Sequence, residues 1–168
     1  MAELLTSLWR RLLADPAGTR ATLGVPSLVW EAPRRAVGES GRFLLTEPGA
    51  EARHPDPGEA LVFPVARRPG AGDAFPPGVT IGRATSSDVV LDDTSVSRLH
   101  ALLQYEPRGA QWFLSDAGSR NGTRLNGLKL EPRTRGQVQD GAELTLGDAS
   151  LRFFTPQGLL AYLEDIGR

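Results

Sequence analysis

Three short islands in this 168-residue chain carry side chains suited to holding a phosphate group: "IGRA" (81–84), "VSRLH" (96–100) and "GSRNGT" (118–123). Arg83 stands at the end of an apolar run and offers a planar fork of donors that never loses its proton, which suits bidentate contact with phosphate. Ser97 brings a small hydroxyl that can approach a phosphate oxygen closely, and Arg98 follows it with a further charge and a backbone N–H. Asn121 donates and accepts at once, as a residue gripping a peptide main chain must, with Arg120 beside the phosphate. His100, three residues past Ser97, reads as a brace whose ring nitrogens bond loop backbone. Gly82 and Gly122 read as architectural, permitting close approach or unusual φ. Taken singly, Arg83 is a solvated strand-end charge, Ser97 a turn residue and Asn121 a hairpin residue chosen for φ; their co-occurrence is what favours binding.

Short strands must position these residues. "ALVFPVAR", "GVTIGRA", "DVVLD", "HALLQYE", "QWFLSD", "TRLNG", "LKLEP", "AELTLGD" and "SLRFFT" are strand candidates separated by Gly, Asp, Pro or Asn. Many short strands at regular spacing imply an all-β sandwich or barrel. The segment 118–123 is expected as a tight hairpin turn with Asn121-Gly122 in type I′ geometry, and a second Asn-Gly follows at 126–127. Helical spacing of Leu4, Leu5, Leu8, Trp9, Leu12 and Leu13 predicts an amphipathic helix over 3–14. "PSLVWEAP" (26–33) and "GRFLLTEP" (41–48) read as strands, and 49–60 as a Pro/Gly-rich linker. A boundary near Gly58 would divide the chain into an extension (1–58), a β domain (59–155) and a C-terminal helix (156–168). In that last helix Thr155 is the cap, Pro156 takes the first position, and Leu159, Leu160, Leu163 and Ile166 form the apolar stripe. Both helices are expected to dock on the sandwich or on each other, away from the loops bearing Arg83 and Asn121.

Composition removes several function classes. A net charge of −1 argues against a general nucleic-acid or polyanion binder. No cysteine is present, so disulfides and thiol catalysis are excluded. His54 and His100 are far apart and lack the companions of a metal site, and no cofactor is expected. Lys129 is the only lysine among 19 basic residues, a usage typical of a GC-rich, bacterial genome. "GESGR" (38–42) lacks the Gly-Lys-Ser/Thr ending of a nucleotide loop. No apolar run approaches the ~18–20 residues of a membrane span, and the N-terminus lacks a signal-peptide pattern, so a cytoplasmic protein without membrane association is expected. Ser97, His100 and Asp116 could be written as a hydrolase triad. The Ser-x-x-His lies on one short segment, however, without a nucleophile elbow or an oxyanion donor, so an enzyme is not expected.

The Gly-Arg at 82–83, the Ser-x-x-His at 97–100, the Asn-Gly at 121–122, the later "LNG" (125–127) and "GAELTLGD" (141–148) resemble, in order and separation, the forkhead-associated (FHA) domain family over about residues 59–155. The resemblance implies an FHA-like β-sandwich of about eleven strands. It further implies phosphothreonine-peptide recognition by loops at one end, and hence a signalling adaptor downstream of Ser/Thr kinases. Phosphothreonine-containing proteins, a kinase or its substrates, would be the partners. By the same resemblance Arg83, Ser97, Arg98, Arg120 and Asn121 bind the phosphopeptide, while Gly82, His100 and Gly122 support the site. Many family members carry Ser or Thr where this chain has Arg120. The alternative is a phosphate-independent scaffold subunit, as of a secretion apparatus, that keeps the fold without the binding.

Overall fold

A computed structural model describes residues 2–31, 60–69 and 78–166. Twelve strands among them form two facing sheets. The first joins, in spatial order, β1 (Glu3–Leu4), β3 (Leu61–Pro64), β2 (Ser27–Trp30), β12 (Ala149–Phe154), β11 (Glu143–Leu146), β8 (Thr123–Leu125) and β9 (Leu128–Lys129). The second joins β10 (Arg135–Val138), β7 (Gln111–Asp116), β6 (Ala101–Glu106), β4 (Val79–Gly82) and β5 (Val89–Val90). All described pairings are antiparallel except β4 with β5.

Period-two alternation builds the core. Leu28, Trp30, Ile81, Leu103, Leu114, Leu144, Leu146, Leu151 and Phe153 point between the sheets and are buried. Strand β2 breaks the usual in-out pattern, because all four residues of Ser27–Trp30 are buried. The reason lies on the other face of the seven-stranded sheet. There Val29, Val62 and Phe154 meet Leu5, Leu8 and Leu12 of α1 (Leu5–Ala14) and Leu159 and Leu163 of α3 (Pro156–Ile166). The expected docking of the two helices on the sandwich is found. Leu13 of the expected stripe is instead 63% exposed, since the burying face runs through positions 5, 8 and 12.

Local signals fix the helix ends. Thr155 Oγ1 accepts the Gly158 N–H at 3.1 Å and donates to Asp140, with Pro156 in the first turn. A further short helix, α2 (Pro16–Thr22), was not expected from the apolar spacing, although Asp15 caps it by accepting the Gly18 N–H at 2.9 Å. Its Arg20 pairs with Glu164 of α3 at 3.0 Å, on the exposed side of the helical layer. The expected strand 41–48 and the boundary at Gly58 lie outside the described residues, and the chain on either side of them, β2 and β3, is hydrogen-bonded in one sheet.

The expected hairpin at 118–123 is corrected. β7 and β8, its supposed arms, lie in different sheets, so the segment is a crossing between layers. Positive φ falls on Gly118 (+82°) and Gly122 (+83°) and not on Asn121, so no type I′ turn is centred there. The second Asn-Gly makes that turn: Asn126 (φ 50°) and Gly127 (φ 80°) join β8 to β9 with Leu125 opposite Leu128.

Leu8 is 1% exposed within the helix-to-sheet layer. Leu8→Ala is expected to lower unfolding free energy by about 2–5 kcal/mol in urea titrations, as buried Leu→Ala changes do. A loss under about 0.5 kcal/mol, the range of surface substitutions, would show that α1 does not dock in solution.

Candidate functional site

Several loops meet at one end of the sandwich, and backbone hydrogen bonds lock two of them together. The Arg83 N–H donates to Ser97 C=O at 2.9 Å and the Ala84 N–H to Arg98 C=O at 3.0 Å. Gly82 makes this crossing possible, because a Cβ there would stand 2.2 Å from Arg98 O. Any side chain would force the two segments apart.

His100 joins this pair to the third loop. Its ring is fully buried, with Nδ1 accepting the Ser97 N–H at 3.0 Å and Nε2 lying 3.0 Å from Gly122 C=O. Since Nδ1 accepts, the proton sits on Nε2 and is donated to Gly122; the ring is the neutral Nε2–H tautomer. The brace expected of His100 is found. Burial pulls its pKa below the usual 6.5, outweighing the Gly122 carbonyl and the Asp116 charge, which raise it.

The loop 117–122 is built around a residue that the sequence reading weighed only as a triad member. Burial raises the pKa of Asp116, but four hydrogen bonds outweigh it and hold the carboxyl below its ordinary value. Ser119 Oγ (2.5 Å) and Thr123 Oγ1 (2.6 Å) donate to Oδ1, and the Gly118 and Ser119 N–H groups (2.9 Å each) donate to Oδ2. Ser119 Oγ in turn accepts the Gly122 N–H at 2.9 Å. The signal that could have found this is the Asp-x-Gly-Ser run, since Asp readily accepts the N–H groups two and three residues on. Asp88 braces the start of β4 and β5 in the same manner: burial raises its pKa, and bonds from Arg68 N–H and Thr80 outweigh that.

On this frame lies an open groove of about 570 Å³ lined by Arg83, Ser97, Arg98, Arg120 and Asn121, together with residues 94–96 and Leu99. All five residues read from the sequence as ligand contacts therefore border one depression. Arg83 is held by its Nε, which donates to Val96 C=O at 3.2 Å, leaving its terminal nitrogens available. Ser97 Oγ accepts the Arg120 N–H at 2.9 Å, which leaves its own proton to donate. Asn121 Nδ2 donates to Ser95 C=O at 2.8 Å, keeping its second N–H and its Oδ1 for a ligand. Ser95, which the sequence reading missed, is fixed by Asp93 (2.8 Å) and by the Asp148 N–H (2.8 Å). Among the described residues, no acidic one lines the groove. Among the described residues no cluster of three or more His, Cys, Asp or Glu could hold a metal, and no helix is long and apolar enough to cross a membrane.

The pH dependence of the frame follows from His100. With its folded pKa below 6.5, the native state binds fewer protons than the unfolded chain as the medium is acidified. Its contribution is complete above about pH 6.5 and is lost as pH falls toward the folded value. Denaturation midpoints are expected to hold from pH 8 to 7 and to drop as pH falls below about 6.5, with the drop absent in His100→Asn. A wild-type profile flat over that window would contradict the buried neutral ring.

The FHA domain family matches residues 79–147. The chain is 36% identical over 118 residues to an oxoglutarate dehydrogenase inhibitor of Corynebacterium diphtheriae, covering 68% of this chain and 78% of that protein. It is 39% identical over 101 residues to the glycogen accumulation regulator GarA of Mycolicibacterium smegmatis, covering 58% of this chain and 60% of that one. Among solved structures, the FHA domain of an Arabidopsis thaliana protein aligns over 78% of this chain and 86% of its own, at 24% identity and a TM-score of 0.47. With a relative of this identity matched over most of its length, the chain belongs to the FHA domain family.

Proposed function

We propose that this protein is a phosphothreonine-dependent binding module, acting as a signalling adaptor downstream of Ser/Thr kinases. The observation that carries the reading is the convergence of Arg83, Ser97 and Asn121 on one groove that has no acid among its described lining residues. Phosphothreonine brings a charge of about −1.5 to −2 and three strong acceptor oxygens, so its receptor needs clustered donors more than a deep cavity. Arg83 and Arg98 supply charge, the Ser97 hydroxyl supplies a short neutral donor, and Asn121 reads the ligand's main chain. Val96 and Leu99 supply apolar lining for a threonine methyl.

The same geometry speaks for binding over catalysis. His100 Nδ1 receives the Ser97 backbone N–H and not its hydroxyl, so the ring is not placed to activate Ser97 as a nucleophile. The relatives' names, an inhibitor and a regulator, fit a module that works by protein contact. A cytoplasmic setting, where Ser/Thr kinases and their substrates meet, suits this role.

Calorimetry with matched phosphothreonine, phosphoserine and unmodified peptides tests the proposal. The unmodified peptide is expected not to bind, and equal binding of all three would overturn the reading. The phosphothreonine peptide should bind about fourfold tighter than phosphoserine, the worth of one buried methyl. Arg83→Ala should weaken phosphothreonine binding roughly ten- to hundredfold, since a charge-assisted bond is worth about 1.5–3 kcal/mol. Its thermal midpoint should stay within a degree or two, because the side chain is exposed.

A further inference from the structure

We propose that Arg120 reads a second anionic group on the ligand, so that this site selects phosphothreonine segments carrying an acidic side chain or another phosphate close to the first. The inference rests on the phosphopeptide reading above. Three guanidinium groups, those of Arg83, Arg98 and Arg120, border the groove, and among the described residues no carboxylate lines it. Among the described residues none of the three has an ion-pair partner. One phosphothreonine carries about −1.5 to −2 charges, so two arginines suffice to match it and the third is in surplus.

Position singles out Arg120 as the surplus cation. Arg83 is anchored at the groove by its Nε bond to Val96 C=O, and Arg98 directly follows the Ser97 hydroxyl. Arg120 is pinned only through its backbone, whose N–H donates to Ser97 Oγ, while its side chain is exposed and makes no hydrogen bond to the described residues. It stands next to Asn121, the residue suited to the ligand's main chain, so its exposed side chain is placed to meet a ligand residue that flanks the phosphothreonine.

The surroundings reinforce this placement. The Lys129 Cε lies 3.5 Å from where a Cβ on Gly122 would sit, bringing another cation to the Arg120 side. Asp116, the acid of the same loop, spends its oxygens on four internal hydrogen bonds and, among the described residues, forms no ion pair with either. Asp92 and Asp148 are exposed but do not line the groove. An unpaired arginine beside a main-chain reader discriminates ligands by charge, and complementary charge chiefly provides specificity.

The test is calorimetry on the full chain with one phosphothreonine peptide in three forms: neutral flanks, aspartate placed in turn at each of three positions on either side, and a second phosphothreonine at those positions. At least one placement should tighten binding about two- to fivefold over the neutral form, the range of an exposed ion pair. On the Arg120→Ala variant the acidic and neutral peptides should bind with equal affinity, so that the gain is abolished, while Arg120→Lys retains part of it. Whether aspartate or phosphate gives the larger gain identifies the anion source. No gain at any position, or a gain that survives Arg120→Ala, overturns the inference while the phosphopeptide reading stands. So does an Arg120→Ala variant that weakens the neutral and acidic peptides equally, which would assign Arg120 to the first phosphate. If wild type fails to bind even the neutral phosphothreonine peptide, the underlying reading fails and this one with it.

Discussion

The binding end of the sandwich depends on one buried imidazole. His100 is the first residue before β6, and its two ring nitrogens tie the backbone of Ser97 to that of Gly122, 22 residues beyond the histidine in sequence. A neutral histidine alone among the side chains donates and accepts from opposite sides of a rigid ring, so it can span two loops that share no strand pairing. Full burial keeps it neutral, and neutrality is what lets Nδ1 accept. The ring thereby sets the spacing between the Ser97 hydroxyl and the Asn121 amide, the two neutral donors facing the groove.

Everything around that ring is arranged so that the frame consumes its own polar groups and leaves the ligand's donors unspent. Asp116 takes four hydrogen bonds from its own loop, Ser119 relays to the Gly122 N–H, and Ser95 fixes the Asn121 amide through its carbonyl. Buried networks of this kind are stabilising when satisfied and costly when broken, which makes them good setters of geometry. The guanidinium ends of Arg83, Arg98 and Arg120 stay outside the network. In the proposed binding mode a phosphate would meet guanidinium groups outside a frame that is already hydrogen-bonded, and such preorganisation lowers the cost of binding.

Much of this was legible in the sequence because it is written in short-range code. Strand patterning located ten of the twelve described strands, the Thr155-Pro156 pair located α3, and the Gly-Arg, Ser-x-x-His and Asn-Gly islands named the groove's residues. What escaped was decided by partners distant in sequence. β10 is "RGQV", with one buried apolar side chain, and it is a strand only because β7 offers it an edge. β1 is two residues paired with β3, too short for any periodicity to register. The loop 118–123 has hairpin composition on both flanks, but β8 pairs with β11 and β7 with β6 and β10, so tertiary pairing overrode the local turn signal. The supporting role of Ser95 was equally invisible, since short polar residues in loops look alike until their partners are known, whereas that of Asp116 left a local trace in its Asp-x-Gly-Ser run.

The helical layer has a place in this design as well. Residues 79–147, matched by the family, exclude β2, β3 and β12, yet those strands form the middle of the seven-stranded sheet, with β12 paired directly to β11. Trp30, at the end of β2, lies opposite Leu151 in β12, close to the 147–148 turn whose N–H groups bond Gly122 C=O and Ser95 Oγ. A sheet placed there must be rigid, and rigidity requires that its outer face be covered as well as its inner one. Val29, Val62 and Phe154 make that outer face apolar, and α1 and α3 cover it. The groove side chains stand on loops at the strand ends, so both faces of this sheet can be closed without touching them. The helices thus stabilise the frame that holds the site while leaving the site itself open.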